Sequence, residues 1–319
     1  MEIRNNVLVK EFTTFQIGGR VKYFTEVSDS DSLILAVKTA KKLKTPLIVL
    51  GGGNNVAFQD GDLDLFVVQF KGGKMDVKGN HIVCDAGVLL DDLVQKSTAC
   101  GLAGMEKLSA IPGTVGGSIY GNAGAYGQTI SGAVESVLVF DGKKIKEISK
   151  KGCGFDYRGS IFKKKKWVIL AARFVFKKGK KEELIKQAGD IKNIRTAKFP
   201  RGLKCAGSFF KNVPISKIPK KVMPLIDQSK IMDKQVPVGH LLELVGAKGM
   251  REGGAYVADF HNNFLMNDGS ATFADLRCLA DKMKAMVKEK FGIKLEEEVR
   301  MLASANPPSH KLLIFQRKT

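Results

Sequence analysis

Between Ile111 and Gly127 the chain reads IPGTVGGSIYGNAGAYG, six glycines in 17 residues. Glycine loses more backbone freedom on ordering than any other residue, so a regular helix or strand tolerates few of them. This density predicts a shaped backbone loop, whose amide groups, free of side chains, can approach a bound anion closely. A second cluster, Gly51-Gly52-Gly53-Asn54-Asn55, follows the short apolar run Leu47 to Leu50. A single glycine serves a tight turn, whereas two such clusters point to phosphate cradling and hence to a nucleotide cofactor.

The common nucleotide fingerprints do not fit. After Gly51 and Gly53 a Rossmann motif needs Gly or Ala at position 56, which is Val56. None of Gly73-Lys74, Gly142-Lys143 and Gly179-Lys180 is followed by the Ser or Thr that a Walker loop uses for magnesium.

Around the loops, α and β patterns alternate. Leu33, Ala36, Val37, Ala40 and Leu43 recur at helical spacing over residues 30 to 44, with Ser30 as the expected N-cap. Strands are expected at Leu47 to Leu50, Leu65 to Phe70 and His81 to Asp85, and a helix from Leu89 to Cys100 that Gly101 can end. Val134 to Phe140, the Asp141-Gly142 turn and Lys144 to Ser149 read as a hairpin, followed by a strand over Trp167 to Phe176 and a helix over Glu182 to Arg195. From residue 200 onward turns dominate. Farther on, Thr272 with Asp275 forms a capping-box pattern opening a helix through Phe291, and Leu295 to Leu302 reads as a strand. We therefore expect two domains, 1–200 and 201–302, the first divided into subdomains 1–55 and 56–200, with a peripheral tail at 303–319.

Lys and Arg outnumber Asp and Glu to give a net charge of +20, enough to raise nucleic acid as a partner. The excess is local: Asp141 to Lys204 holds 21 basic against 6 acidic residues. The runs Lys163 to Lys166 and Lys177 to Lys181 flank an apolar strand, as solvated strand ends would, or as a face attracting an anionic small substrate would. No zinc finger or RNP motif accompanies them. The five cysteines contain no CxxC pair and the four histidines no HExxH, so neither a metal centre nor a disulfide framework is expected. With no apolar run of about 18 residues and no leader pattern at the start, a cytoplasmic chain without membrane insertion is expected.

The glycine clusters belong to a longer series. Thr14-Phe15-Gln16-Ile17-Gly18-Gly19, Leu50 to Asn55, Ile111 to Gly117 and Asn122 to Gly127 occur in the order and spacing of one flavin-binding scaffold. Tyr157-Arg158-x-Ser160-x-Phe162-Lys163, Arg195-x-x-Lys198-x-Pro200, Gly207 to Asn212 and Leu295-Glu296-x-Glu298-Val299-Arg300 continue the series. Together they resemble the UDP-N-acetylenolpyruvoylglucosamine reductase family over nearly the whole chain.

That resemblance implies an α+β chain with a two-subdomain FAD-binding fold of the vanillyl-alcohol-oxidase type and a C-terminal α+β substrate domain. It implies non-covalent FAD, NADPH as hydride donor, a UDP-sugar as substrate and a monomer. The reaction it implies reduces UDP-N-acetylglucosamine enolpyruvate to UDP-N-acetylmuramate, with hydride from flavin N5 to C3 and a proton from Ser208 to C2. Arg158, assisted by Glu298, would stabilise the charge developing on C2 and its carboxylate.

The same likeness assigns Gly51, Gly52, Gly53, Asn54, Asn55, Pro112, Gly113, Gly116, Gly117, Asn122, Ala123 and Gly124 to the cofactor. It assigns Tyr157, Lys198, Asn212, Lys248 and His261 to the substrate, and no residue to a metal. The chain departs from the family pattern at Asn54 and Thr13, and Val213 is inserted before Pro214. No tyrosine occurs between Arg158 and Lys198, so it resembles the type lacking the extra tyrosine loop. Read from the residues alone, Arg158 could pair with Asp156 and Ser208 could be an ordinary turn serine. The competing functions are another FAD-dependent oxidoreductase on the same scaffold and a basic nucleic-acid-binding protein.

Overall fold

The computed structural model describes residues 1–199 and 202–303. Three hydrophobic clusters organise these residues: one shared by the two sheets in the first part of the chain, a smaller one on the first sheet alone, and one inside the domain that follows.

The first sheet is built from β1 (Arg4–Leu8), β2 (Arg20–Val27), β3 (Leu47–Leu50) and a later strand, β5 (Asp62–Phe70), which runs parallel between β2 and β3. From Leu65 to Phe70 every residue of β5 is buried, as expected of a central strand covered on both faces. Helix α1 (Ser30–Lys42) connects β2 to β3 and buries Leu33, Ala36, Val37 and Ala40. Its N-cap is Asp29, which accepts from the Ser32 amide at 2.8 Å, one position before the expected Ser30. A carboxylate there also opposes the positive end of the helix dipole.

The second sheet orders the strands Ile145–Ser149, Val134–Phe140, Val168–Val175, β7 (His81–Asp85) and β6 (Met75–Lys78), all antiparallel. Helix α2 (Leu90–Ala99) follows β7. The division between the two sheets therefore falls between Phe70 and Met75. The boundary expected at residue 55 is displaced because β5 lies in the middle of the first sheet.

The glycine-rich segment departs from expectation too. Val115–Gly121 is a short helix, α3, despite its three glycines. Thr114 caps it by accepting from the Gly117 amide at 3.3 Å, and Val115, Ser118 and Ile119 anchor its buried side. Tertiary burial here overrides weak intrinsic propensity. Asn122 then ends the helix in the left-handed region at φ 45°, a conformation that asparagine tolerates better than most residues.

Helix α4 (Lys181–Lys198) packs on α2 and leads towards the third domain. The boundary expected after residue 200 falls on Pro200 and Arg201, and the tail from 304 onward likewise lies outside the described residues. The third domain contains α5 (Val238–Leu244), a three-stranded sheet of Arg251–Glu252, Ala255–Val257 and Leu265–Asn267, and α6 (Phe273–Phe291). Helix α6 opens with the expected capping box between Thr272 and Asp275 and closes at Gly292, φ 71°. The core of this domain takes in Phe15 and Ile17 from the N-terminal segment, and Asn267 donates to the Phe15 carbonyl at 2.8 Å. Burying a phenylalanine contributes roughly 1.5–3 kcal/mol, so the early Thr14 to Gly19 motif fastens the third domain to the first.

Of the strand expected over Leu295 to Leu302, only Arg300–Leu302 is regular, and it pairs in parallel with β4 (Val56–Phe58). The preceding residues bridge instead to the Ser208 turn through Phe210 and Glu297. No helix among the described residues is long and apolar enough to cross a membrane.

Candidate active site

A cleft of about 820 Å³ is lined by the Gly51–Asn55 loop, residues 110–114, α3, Ala123, Gly124 and Trp167 to Ile169. From the third domain Ser208, Phe264, Glu298 and Arg300 line the same cleft. Eleven of the twelve residues expected to hold the cofactor line it. Asn122 does not: its buried side-chain amide donates to the Asp156 carbonyl at 2.9 Å and so fixes a neighbouring turn.

The glycines fall into two groups. A Cβ on Gly51 would stand 2.3 Å from Thr114 Oγ1, and one on Gly53 would stand 2.0 Å from the Phe12 carbonyl, so the protein's own packing excludes side chains there. On Gly117 the nearest atom would be 3.6 Å away, and on Gly121 nothing lies within 4 Å. Both line the cleft, so their missing side chains leave open a space that an extended dinucleotide such as FAD fits. The free backbone of the two loops supplies donors for its phosphates.

A second cavity of about 580 Å³ lies between the Gly154 to Lys164 segment and the third domain; Arg158 and Lys163 line both cavities. Arg158 stands at the tip of a turn in which Asp156 and Gly159 exchange two backbone hydrogen bonds, of 3.1 and 3.0 Å. Its φ is +50°. Its guanidinium donates to the Gly124 carbonyl at 3.1 Å, and its Nε lies 2.8 Å from Glu298 Oε1 with the N–H misaligned for a hydrogen bond. Arg158 thus pairs with Glu298, 140 residues along the chain, and not with Asp156.

Glu298 is held by its backbone amide, which donates to the Phe209 carbonyl at 2.8 Å, and by Asn55, whose side-chain amide donates to the Glu298 carbonyl at 3.1 Å. Burial pushes its carboxyl pKa above the usual value, against the pull of Arg158, then Lys163 and Lys211. The glutamates beside it face different partners. Glu297 turns to Arg277 and Lys284 on α6, while Glu296 pairs with Lys211 and Lys217 at 3.2 and 3.3 Å.

Ser208 follows Gly207, φ +79°, and is half-buried on the cleft wall. The turn is fixed by Asn263, a residue that sequence reasoning missed. Its carbonyl accepts from the Phe209 amide at 2.8 Å, and its buried side chain bonds both the amide and the carbonyl of Phe210, at 2.9 and 2.8 Å. Nothing in the second Asn of the turn His261-Asn262-Asn263 signals that role.

Tyr157 and Asn212 meet, the Asn212 amide donating to the Tyr157 hydroxyl at 3.2 Å, beside the second cavity. Lys198 and His261 form a separate group. Burial lowers the His261 pKa and the nearby Lys198 lowers it further, while its Nδ1 accepts from the Asn263 amide at 3.1 Å. Lys198, His261 and the exposed Lys248 line neither cavity. Also missed was Tyr120, whose ring lies within 5.1 Å of the Arg300 guanidinium and 5.8 Å of the Lys163 ammonium.

A dinucleotide cleft against two α+β subdomains, overlooked by a third domain that contributes a serine and a glutamate, defines an FAD-dependent oxidoreductase. Residues 21–140 match the FAD binding domain model, and residues 197–302 match that of the UDP-N-acetylenolpyruvoylglucosamine reductase C-terminal domain. The chain is 40% identical over 290 residues to UDP-N-acetylenolpyruvoylglucosamine reductase from Solibacter usitatus, covering 91% of this chain and 93% of that protein. It is 38% identical over 291 residues to the Thermotoga maritima enzyme of that name, covering 91% and 95% respectively. The crystal structure of the Thermus caldophilus reductase superposes with a TM-score of 0.74 at 29% identity, covering 94% of this chain and 99% of that one. The chain belongs to the UDP-N-acetylenolpyruvoylglucosamine reductase family.

Proposed function

We propose that this protein reduces UDP-N-acetylglucosamine enolpyruvate to UDP-N-acetylmuramate, a peptidoglycan precursor, with NADPH as reductant. The reading rests on family membership together with one observation: Arg158, Ser208 and Glu298, from three separate segments, line the flavin cleft, Glu298 lying 2.8 Å from Arg158 and bonded through its amide to Phe209, the neighbour of Ser208. When bound, FAD supplies the hydride chemistry, accepting from NADPH and donating to C3 of the substrate's vinyl group.

The protein's own groups serve the rest of the addition. Charge develops on C2 and the adjoining carboxylate, and Arg158, fixed between Gly124 and Glu298, is the cation placed to stabilise it. Ser208, on a turn pinned by Asn263, gives the proton that completes C2. Glu298 keeps Arg158 oriented, and the partial burial of both side chains strengthens that pairing. Tyr157 and Asn212, beside the second cavity, are assigned to the remainder of the UDP-sugar; Lys198, His261 and Lys248 line neither cavity and are the weaker substrate assignments.

The test is anaerobic stopped-flow absorption of the FAD-loaded protein. NADPH should bleach the oxidised-flavin band, and the enol ether should restore it within the turnover time. Bleaching without restoration would move the function to another electron acceptor on the same scaffold.

A further inference from the structure

We propose that Lys163 is a positioning residue for Arg158, its ammonium clamping the Arg158 carbonyl and so holding the left-handed turn that places the guanidinium in the cleft. The proposal rests on the role given to Arg158 above.

Tyr157 and Arg158 are the two central residues of the turn closed by Asp156 and Gly159. Only the second has positive φ, +50°, and the second central position of such a turn normally takes Gly or Asn. An arginine persists there only if its surroundings over-determine the conformation. Besides Asp156 Oδ1, which accepts from the Tyr157 amide at 2.7 Å, and the bond of Arg158 to Gly124, three more side-chain bonds bear on the segment. Asn122 donates to the Asp156 carbonyl at 2.9 Å, Ser160 donates to the Tyr120 carbonyl at 2.8 Å, and Lys163 donates to the Arg158 carbonyl at 2.6 Å. The first two hold the flanks, whereas Lys163 grips the backbone of the strained residue, whose own guanidinium is tied to Gly124. Its ammonium sits beside the Tyr120 ring, a partner that favours a cation there.

Lys163 also belongs to the charges around Glu298. Arg158, Lys163 and Lys211 all favour its ionised form, and Tyr157 lies close to the same carboxylate. Lys163 therefore reaches both members of the Arg158–Glu298 pair without being either. A lysine that merely attracted an anionic substrate would act independently of Arg158; a clamp acts only through it.

The experiment compares Lys163→Met, Lys163→Arg and Arg158→Ala, singly and as the Lys163→Met/Arg158→Ala double variant, in FAD-loaded protein. Flavin reduction by NADPH serves as the internal control for folding and cofactor binding. Lys163→Met should leave that step within about 2-fold and slow reoxidation by the enol ether by about 10- to 100-fold, a range typical of a mis-set reacting group. Its acid limb should move to higher pH, because Glu298 loses a neighbouring cation, and Lys163→Arg should restore both rate and limb. In the Arg158→Ala background the further loss should be under about 2-fold. An equal loss in both backgrounds, an unmoved limb, or failure of Lys163→Arg to restore the rate would each overturn the clamp. A slow Arg158→Ala enzyme with a normal Lys163→Met enzyme would overturn the clamp alone. Normal reoxidation by Arg158→Ala would remove the reading of Arg158 and the clamp together.

Discussion

Arg158 donates to the carbonyl of Gly124 at 3.1 Å, tying the tip of a strained turn to the glycine loop that borders the flavin cleft. The strain and the proposed catalysis can be separated by substitution. Arg158→Gly and Arg158→Ala both remove the partner of Glu298, but only glycine accepts φ +50° freely. Arg158→Gly should therefore be the more stable of the two by about 1 kcal/mol, while both lose reoxidation by about 100-fold or more. Urea unfolding of the pair decides it, and an alanine variant as stable as the glycine variant would sink the strain argument.

Ser208→Ala separates the half-reactions. Reduction of the flavin by NADPH should proceed normally, and reoxidation by the enol ether should slow by about 10²- to 10⁴-fold, the usual worth of a positioned proton donor. Equal slowing of both steps would show that the serine serves flavin binding or packing.

Neighbouring glycines of α3 should fail in different ways. A Cβ on Gly116 would meet the Ala86 Cβ at 2.8 Å, whereas Gly117 has room on the protein side and faces the cleft. Gly116→Ala should lower the melting temperature of the flavin-free protein. Gly117→Ala should leave it unchanged and weaken FAD binding by 10-fold or more, about 1.4 kcal/mol, as read by fluorescence titration. If both variants bind FAD normally, the assignment of α3 to the cofactor fails.

Glu298 should impose a pH dependence of defined sign. Burial raises its folded pKa above the ordinary 4.5, so between those two values the native state binds more protons than the unfolded state. Its contribution is therefore greatest below 4.5 and is lost as pH rises through the raised pKa. Glu298→Gln should gain stability relative to the parent over that window. Reoxidation, which uses the ionised form, should fall as pH drops through the same raised value, and the glutamine variant should lose that limb. Parallel stability profiles for the two proteins would count against a buried, raised carboxyl.

The sequence carried its local structure well where one pattern dominated. The period of α1, the capping box of α6 and the strand β7 need only neighbouring residues, and each lies within a residue or two of its expected place. What was hidden depends on distant partners. Glycine density pointed to a loop at 115–121, yet Val115 and Ile119 buried against the second subdomain make it a helix. A division at residue 55 followed the glycine loop, whereas hydrogen bonding places β5 inside the first sheet.

The site was similarly divided. Motif order brought out the cleft lining and the Arg158, Ser208 and Glu298 group, because those residues keep fixed local neighbours. Asn263 and Tyr120 act through contacts spanning 53 and 40 residues, and no local pattern marks them; Lys163 closes the motif that begins at Tyr157, but the motif does not tell that its ammonium bonds the Arg158 carbonyl. Asn122, which the likeness assigns to the cofactor, does not line the cleft, and its side-chain amide bonds the Asp156 carbonyl.

The parallel pairing of Arg300–Leu302 with Val56–Phe58 makes the third domain a loop in the topological sense, leaving the flavin half after α4 and rejoining it beside the glycine cluster. A segment pinned at both ends, and again where Phe15 and Ile17 enter its core, can move only where those attachments leave it free. Glu298, two residues before the returning strand and bonded to Asn55, sits next to one pin, while α5 and Lys248 belong to the free arc. Admission of a bulky substrate should thus move the arc and leave the Arg158–Glu298 pair in place. Paired fluorescent labels at residues 55 and 248 should change separation on substrate binding, as a hinge with a stationary catalytic edge requires.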